Sequence, residues 1–209
     1  MLFRIKRYLQ RHWLVLNNVW KVYRYGGGIS LLWAIKHLHI YAENCDIEIN
    51  SKIADVHVYM YGTNHKLFID TDVQFKQGTI CFEDNSCEMQ IGTGTTIQGA
   101  MLSVAENNCK LIIGKDCMFS TNIYISTTDS HSIISTETDR RINPPASVYI
   151  ADHVWIGYNC TINKGVHIES NSVVGGNSVV TKDVKPNVIV AGIPAQIIKT
   201  DVNWDRIRR

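Results

Sequence analysis

A repeat of six residues in the C-terminal half of the chain restricts its fold more than any other feature. Aliphatic residues follow one another at intervals of six: Ile150, Ile156, Ile162, Ile168, Val174 and Val180. The fourth place after each of them holds a small residue: Val154, Cys160, Val166, Ser172, Ser178 and Val184. An amphipathic helix repeats every 3.6 residues and a half-buried strand every two, so neither produces this pattern. The sequence therefore predicts a repeat architecture.

We interpret each six-residue unit as a short strand followed by a turn, with three units closing one triangular coil. The aliphatic residue points inward, the small residue fits near a corner, and stacked coils pair through parallel strands. We expect residues 45–195 to form roughly eight coils. Turns of unusual backbone angle are expected at Gly157, Gly165, Gly175 and Gly176. The rhythm continues upstream with faults, at Ile69, Phe75, Cys81, Cys87, Ile91, Ile97, Ile113, Phe119 and Ile125.

The repeat is interrupted between Ile125 and Ile150, where residues 126–149 show no six-residue rhythm. A long loop that leaves a rigid scaffold is a common place for functional residues, although it can also be a tolerated insertion. His131 lies at the exit from the last regular strand, which favours function. We place the extruded loop at residues 131–149.

The N-terminal segment differs in charge from the rest of the chain. Residues 1–42 hold seven basic residues and no acidic one, so the remainder holds 14 of the 21 basic residues and all 19 acidic residues. Apolar residues at helical spacing predict a helix within residues 2–24, and a second short helix is expected over Ile29–Leu38. This basic segment packs on the end of the prism or on another subunit, or it lies on an anionic membrane surface. No nucleic-acid motif accompanies it, so no nucleic-acid partner is expected.

The six cysteines form no Cys-x-x-Cys pair, which disfavours a zinc ribbon. We interpret them as free, buried and apolar, as in a reducing cytoplasm. No apolar run is long enough for a membrane-spanning helix, and basic residues interrupt the first apolar stretch, so no signal peptide is expected. A cytoplasmic protein, in peripheral contact with the membrane if the N-terminal segment binds it, is therefore predicted.

Four motifs carry a resemblance to a known family. They are Asp129-Ser-His-Ser-Ile133, Asp152-His-Val-Trp-Ile-Gly157, Val173-Val-Gly-Gly-Asn-Ser-Val-Val-Thr-Lys-Asp183 and Ala191-Gly-Ile-Pro-Ala195. The segment 113–199 resembles the hexapeptide-repeat acyltransferases, in the group of maltose, galactoside and capsular sugar O-acetyltransferases. The first motif is most similar to enzymes that acetylate surface polysaccharides, including polysialic acid O-acetyltransferases. The resemblance implies an all-β chain whose residues 43–200 form a left-handed parallel β-helix, followed by a tail at 201–209.

The resemblance also implies a reaction and its residues. Acetyl passes directly from acetyl-CoA to a sugar hydroxyl of a surface glycan or its precursor, with His131 as general base and Trp155 beside the thioester. Homotrimers place each site between adjacent prisms. The CoA contacts implied by position are Trp155, Tyr158, Gly176, Thr181, Lys182 and Lys199. The residues themselves suggest further substrate contacts. Gln98 is the nearest amide to an acceptor-site Asn that this sequence lacks, and Asp129 could orient His131. Arg140 and Arg141 could hold an acidic sugar or a CoA phosphate, or be solvated loop charges.

Two further possibilities and one expected absence complete the hypothesis. The chain could instead acylate the amine of a nucleotide-linked amino sugar, or it could be a non-catalytic β-helix scaffold. Carbonic anhydrases of the γ type use the same coil with zinc held by three histidines, two of them separated by four residues. The sequence has no such pair, so no metal is expected.

Overall fold

The computed structural model of the protein describes residues 30–208. A short helix, α1 (Leu31–His37), precedes the strands, and the side chain of Ser30 caps it by accepting a hydrogen bond from the backbone of Trp33. This helix lies within the range expected for the second helix of the N-terminal segment. The helix expected within residues 2–24 lies outside the described residues. No helix in the described range is long and apolar enough to cross a membrane.

Between residues 30 and 208, twenty strands form three sheets, which are the three faces of a triangular prism. The first sheet contains, in order, β1 (Leu38–Ile40), β3 (Asp55–Met60), β6 (Gln77–Phe82), β9 (Ala100–Val104), β12 (Ile123–Ser126), β15 (Thr161–Ile162) and β18 (Val179–Val180). The second contains β2 (Asp46–Ile49), β4 (Lys66–Ile69), β7 (Glu88–Ile91), β10 (Lys110–Ile113), β13 (Val148–Ile150) and β16 (His167–Ile168). The third contains β5 (Gln74–Phe75), β8 (Thr96–Ile97), β11 (Met118–Phe119), β14 (Trp155–Ile156), β17 (Val173–Val174), β19 (Val188–Gly192) and β20 (Ala195–Thr200).

Neighbouring strands in these sheets pair in parallel except at one edge of the third sheet. There β20 folds back on β19 as an antiparallel strand. The first strand of the prism, β1, begins at Leu38, directly after α1. From β3 to β18 the chain visits the first, second and third sheets in turn, as a solenoid of triangular coils requires.

The interior of the prism confirms the six-residue pattern from Ile150 onward. All six aliphatic positions and all six small positions of that pattern are at most 3% exposed. The small residues also satisfy backbone groups at the corners. The Cys160 thiol and the Ser178 hydroxyl both donate to the Gly175 carbonyl oxygen, at 3.2 and 2.6 Å. A small polar side chain therefore fills the corner without leaving that carbonyl unpaired.

The coil count and the upstream register differ from expectation. The prism has about six coils rather than eight, because the N-terminal coils are longer. Neighbouring coils there join residues 22 apart, as between the Cys87 backbone and His65, whereas the C-terminal coils join residues 18 apart, as between Asn159 and Asn177. The longer strand β6 directs Ile80 and Phe82 inward and leaves Cys81 half-buried on the outer face, so the inward assignment of Cys81 was wrong. None of the six cysteines forms a disulfide, and the other five are buried.

The glycine assignment was correct at one of four positions. Gly165 has φ +77°, but Gly157, Gly175 and Gly176 do not adopt positive φ. A Cβ on Gly157 would lie 2.7 Å from the backbone nitrogen of Gly176, so close packing of coils requires glycine there. The left-handed turns fall mainly to Asn and Asp instead, which tolerate this region better than other residues with side chains.

Candidate functional site

The loop that interrupts the repeat leaves the prism at the corner between the first and second sheets. It connects β12 to β13, and its two arms approach each other like a hairpin. An isolated antiparallel bridge joins Ile134 and Arg141, and the backbone of Ile142 donates to the carbonyl of Ile133 at 2.8 Å. The loop is therefore an ordered element with its own backbone pairing.

Asn143 fixes the base of this loop with both ends of its side-chain amide. Its Oδ1 accepts from the backbone of Ile133 at 2.6 Å, while its Nδ2 donates to Asp129 Oδ2 at 2.8 Å and to the carbonyl of His131 at 2.9 Å. The residue is 8% exposed, so these bonds compete little with water. Asn143 thus fixes the backbone position of His131.

Lys164, on the next coil, also holds the base of the loop through hydrogen bonds. Its Nζ donates to Asp129 Oδ2 at 2.5 Å and to the carbonyl of Asn143 at 3.0 Å. The hydrogen bond from Lys164 holds the pKa of the Asp129 carboxyl below its usual value, and the bond from Asn143 adds to this effect. The Asp129 carboxylate therefore contacts Lys164 and Asn143 rather than the imidazole of His131.

A second ion pair ties the loop to the preceding coil. The guanidinium of Arg141 binds both carboxylate oxygens of Glu106, with Nη2 2.7 Å from Oε1, and the hydroxyl of Thr128 donates to the same carboxylate. The hydrogen bonds from Arg141 lower the pKa of Glu106 to about 2. Arg141 is thereby engaged in holding the loop, whereas Arg140 beside it is exposed.

His131 is exposed, in contrast to its firmly held backbone. The backbone N–H of His131 donates to the carbonyl of Asp129 at 2.8 Å, and Ser130, the preceding residue, adopts φ 69°. Within residues 30–208 the imidazole makes no hydrogen bond. The loop therefore presents an exposed imidazole on a backbone that is held by Asn143 and by the carbonyl of Asp129.

Trp155 lies on the outer face of the third sheet. Its strand β14 pairs with β11 and β17, and the side chain is 38% exposed. Across the sheet, Trp155 is in register with Val173, then Ile189, then Lys199. Three strand spacings make this row about 14 Å long. Trp155 and Lys199 therefore stand at the two ends of one row on the same face.

The C-terminal tail packs beside Trp155, a contact that no sequence motif indicates. The Trp204 ring lies 6.2 Å from the Trp155 ring and stacks on His153 at 4.1 Å between centroids. Its indole N–H donates to the carbonyl of His153 at 2.8 Å. Arg206 then pairs with Asp116, which also contacts His153 Nδ1 at 2.7 Å. His153 is thus a packing residue that holds the tail.

The remaining positions predicted to contact CoA occupy two neighbouring coils and the terminal hairpin. Tyr158 is 54% exposed, and its carbonyl accepts from Asn177, the residue after Gly176, at 2.8 Å. Thr181 and Lys182 follow β18 and are exposed, as is Lys199 on β20. Gln98 is half-buried at the end of β8 in the third sheet. The structure thus brings Tyr158 and Gly176 together.

One chain does not unite the two residues expected to be catalytic. His131 leaves the prism between the first and second sheets, whereas Trp155 lies on the third. The residues that fix the loop, Glu106, Asn143 and Lys164, were not found from the sequence. They lie 12 to 33 positions from His131 along the chain and carry no periodic signal. A lone tryptophan in the charged tail was the only sequence signal for Trp204.

Comparison with known proteins places the chain in a family. Residues 147–182 match the family model described as bacterial transferase hexapeptide (six repeats). A polysialic acid O-acetyltransferase of Neisseria meningitidis is 42% identical over 116 residues, which are 56% of this chain and 53% of that protein. A polysialic acid O-acetyltransferase of Escherichia coli O1:K1 is 36% identical over 56% of this chain and 38% of its own length. The matches therefore span about half or less of these curated relatives.

A solved structure covers more of the chain. The polysialic acid O-acetyltransferase OatWY superposes with a TM-score of 0.73 and 33% identity, covering 81% of this chain and 85% of that one. The expected all-β class and left-handed parallel β-helix are confirmed. With this sequence identity, this extent of structural agreement and the matched repeats, the chain belongs to the hexapeptide-repeat acyltransferases, in the group that contains the polysialic acid O-acetyltransferases.

Proposed function

We propose that the protein transfers acetyl from acetyl-CoA to a sugar hydroxyl of a bacterial surface polysaccharide, with an acidic glycan such as polysialic acid as the first candidate. The observation that carries the proposal is the exposed imidazole of His131 on a backbone held by Asn143 and, through Asp129, by Lys164. The names of the relatives supply the reaction class. They also favour O-transfer over acylation of an amino sugar and over a scaffold without activity.

In the proposed mechanism His131 is the general base. Its imidazole removes the hydroxyl proton as the oxygen attacks the thioester carbon. The carbon–sulfur bond then breaks, and the imidazolium returns the proton to the departing CoA thiolate. General base catalysis of this kind contributes roughly 10²–10⁴-fold. Transfer is direct, so no residue of the chain is acylated.

The acetyl donor, acetyl-CoA, would lie along the outer face of the third sheet. Trp155 would form a wall for the thioester, and the exposed Lys182 and Lys199 would meet the anionic groups of CoA. The backbone around Gly176, which the coils approach closely beside Tyr158, would pair with the amides of the pantetheine arm. For an acidic acceptor, Arg140 is the better contact, because Arg141 is bound to Glu106. Gln98 is a further acceptor contact, and Asp129 acts through the loop.

The site would be completed by a second chain. Because His131 and Trp155 occupy different faces of one prism, we place each site between adjacent prisms of a homotrimer.

We also propose that residues 1–42 bring a cytoplasmic enzyme to the inner membrane surface. Replacing Arg4, Lys6, Arg7 and Arg11 by Gln should abolish cosedimentation with vesicles rich in anionic lipid; unchanged cosedimentation would contradict it.

The function is tested by release of free CoA thiol with polysialic acid, other capsule and O-antigen glycans, and amino-sugar nucleotides as acceptors. We expect His131→Ala to lower kcat by about 10²–10⁴-fold while CoA binding is retained. His167→Ala is the matched control, since this exposed histidine lies on β16, where its ring contacts Tyr149 rather than the base of the loop at His131. Turnover in His131→Ala equal to wild type would rule out the mechanism, and activity confined to amino sugars would rule out the substrate class.

A further inference from the structure

A cluster of metal-ligating side chains lies at the N-terminal end of the prism, away from the proposed acyl-transfer site. His37 is the last residue of α1, and Asp55 and His57 lie on β3 of the first sheet. Asp55 Oδ1 lies 3.3 Å from His37 Nε2 and 3.7 Å from His57 Nε2. One ligand atom from each of the three residues lies within 4.8 Å of the others.

The surroundings of His37 fix which of its nitrogens is available. Its Nδ1 lies 2.9 Å from the carbonyl oxygen of Trp33. A carbonyl only accepts, so Nδ1 is the donor, and Nε2 faces Asp55 as the nitrogen available to a ligand. The Trp33 ring stacks on His37 at 4.7 Å, and its indole N–H donates to the Ala54 carbonyl at 2.5 Å, one residue before β3. The imidazole, 5% exposed, is therefore oriented in advance.

His57 is supported in a similar way by a second histidine. Its Nδ1 lies 3.0 Å from His39 Nε2. In the tautomer in which His57 Nδ1 donates to His39, the Nε2 lone pair of His57 faces Asp55. A hydrogen-bond partner on the far nitrogen is the usual support of a metal-bound imidazole. Each of the two histidines thus has such a partner.

We propose that His37 Nε2, His57 Nε2 and the Asp55 carboxylate bind a divalent transition-metal ion, with Zn²⁺ as the best match. Zinc bonds to nitrogen and oxygen measure about 2.0–2.2 Å, so the ligand atoms of a tetrahedral site stand about 3.4 Å apart. The two separations from Asp55 bracket this value. Two neutral imidazoles and one carboxylate suit zinc, whereas magnesium and calcium prefer oxygen ligands.

The ion would fasten α1 to β3, because the ligands come from both elements. It would leave a fourth position for water. β3 is separated from β12, which leads to His131, by β6 and β9, or about 14 Å of sheet. The site is thus distinct from the catalytic zinc whose absence the sequence predicted. No sequence motif indicates it, because His37 and Asp55 lie 18 positions apart in the chain.

The test is zinc binding by the full-length protein after dialysis against a chelator, measured in competition with a chromophoric zinc indicator. We expect one Zn²⁺ per chain at this cluster, and Asp55→Asn and His57→Gln should weaken its binding by at least about 10-fold. Asp55 is 70% exposed, so its replacement leaves packing intact, unlike that of the buried His37. His167→Gln removes an exposed histidine elsewhere and should change nothing.

Two further readouts connect the ion with the cluster. Zn²⁺ should raise the Tm of the wild type and of His167→Gln but not that of Asp55→Asn. Co²⁺ bound in place of zinc should give the visible absorption of a four-coordinate site, and this absorption should disappear in His57→Gln. Absence of zinc uptake by the wild type, or equal affinity in the wild type, Asp55→Asn and His57→Gln, would overturn the proposal.

Discussion

At the scale of single residues, the turns of the prism depend on amides in the left-handed region. Asn159 adopts φ 56° and Asn177 φ 58°, and their side chains are joined in a row that begins at Asn122. The row runs along one edge of the prism through successive coils. Each of these residues therefore serves two purposes, since it tolerates the turn and links its coil to the next.

Substitution of Asn159 separates these two contributions. Asn159→Gly loses the side-chain bonds but accepts the positive φ, whereas Asn159→Val loses the bonds and strains the backbone. We expect the free energy of unfolding of Asn159→Val to fall about 1–3 kcal/mol below that of Asn159→Gly, as measured by urea denaturation. Equal stability of the two variants would mean that only the amide bonds matter.

Glu106 gives the stability a specific dependence on pH. Its pKa is lowered from 4.5 to about 2 by Arg141, so its contribution is complete above pH 4.5 and is lost as the pH falls toward 2. The stability difference between wild type and Glu106→Gln should therefore be largest at neutral pH and shrink across that range. Urea denaturation between pH 7 and 2 measures it. A difference that stayed constant with pH would contradict the assigned ion pair.

At the scale of elements, the tail after β20 is held by few contacts, but these are specific. Arg206 donates to Asp116 at 3.0 Å, to Thr96 at 2.9 Å and to the Cys117 carbonyl at 3.0 Å, and Trp204 is 8% exposed. These contacts lie on the same sheet as Trp155. The tail therefore supports one side of the surface proposed to bind the donor.

Removing the Trp204 ring should release the tail before the prism unfolds. In Trp204→Ala we expect trypsin to cleave after Arg206 faster than in wild type, because proteolysis requires local opening and the stacking on His153 is lost. Trp204→Phe keeps an aromatic ring and should be cleaved more slowly than Trp204→Ala. Mass spectrometry of the released peptide gives the rates. Identical rates in all three proteins would show that the tail is held by Arg206 alone.

The sequence predicted the inward-facing positions correctly where the six-residue repeat determines them. The inward positions from Ile150 to Val180 follow from the six-residue period alone. The longer coils were missed, because the length of strands such as β6 is set by pairing with neighbours rather than by the hexad. The contacts that form the site join residues 35, 51 and 90 positions apart, as in Glu106–Arg141, His153–Trp204 and Asp116–Arg206. No periodic signal marks such contacts.

At the scale of the whole molecule, the separation of His131 from Trp155 predicts complementation between chains. We would coexpress His131→Ala and Trp155→Ala chains with different tags and purify the hybrids through both. In a ring of three with head-to-tail contacts, each hybrid contains one site with both residues intact, so we expect about one third of wild-type turnover. Each variant alone is the control and should be nearly inactive. Hybrids without activity would place both residues in one chain's site.

The antiparallel strand β20 limits how far the stack of coils can be extended at its C-terminal end. A stack of parallel coils is open-ended, because each terminal strand presents unpaired backbone groups that another coil, or another chain, can extend. At the C-terminal end of the third sheet that place is already taken by β20, which pairs with β19 in the opposite direction. In the first and second sheets the last strands, β18 and β16, are only two residues long. This end of the prism is therefore a built-in stop against fibre growth, and coils could be added by duplication only before it.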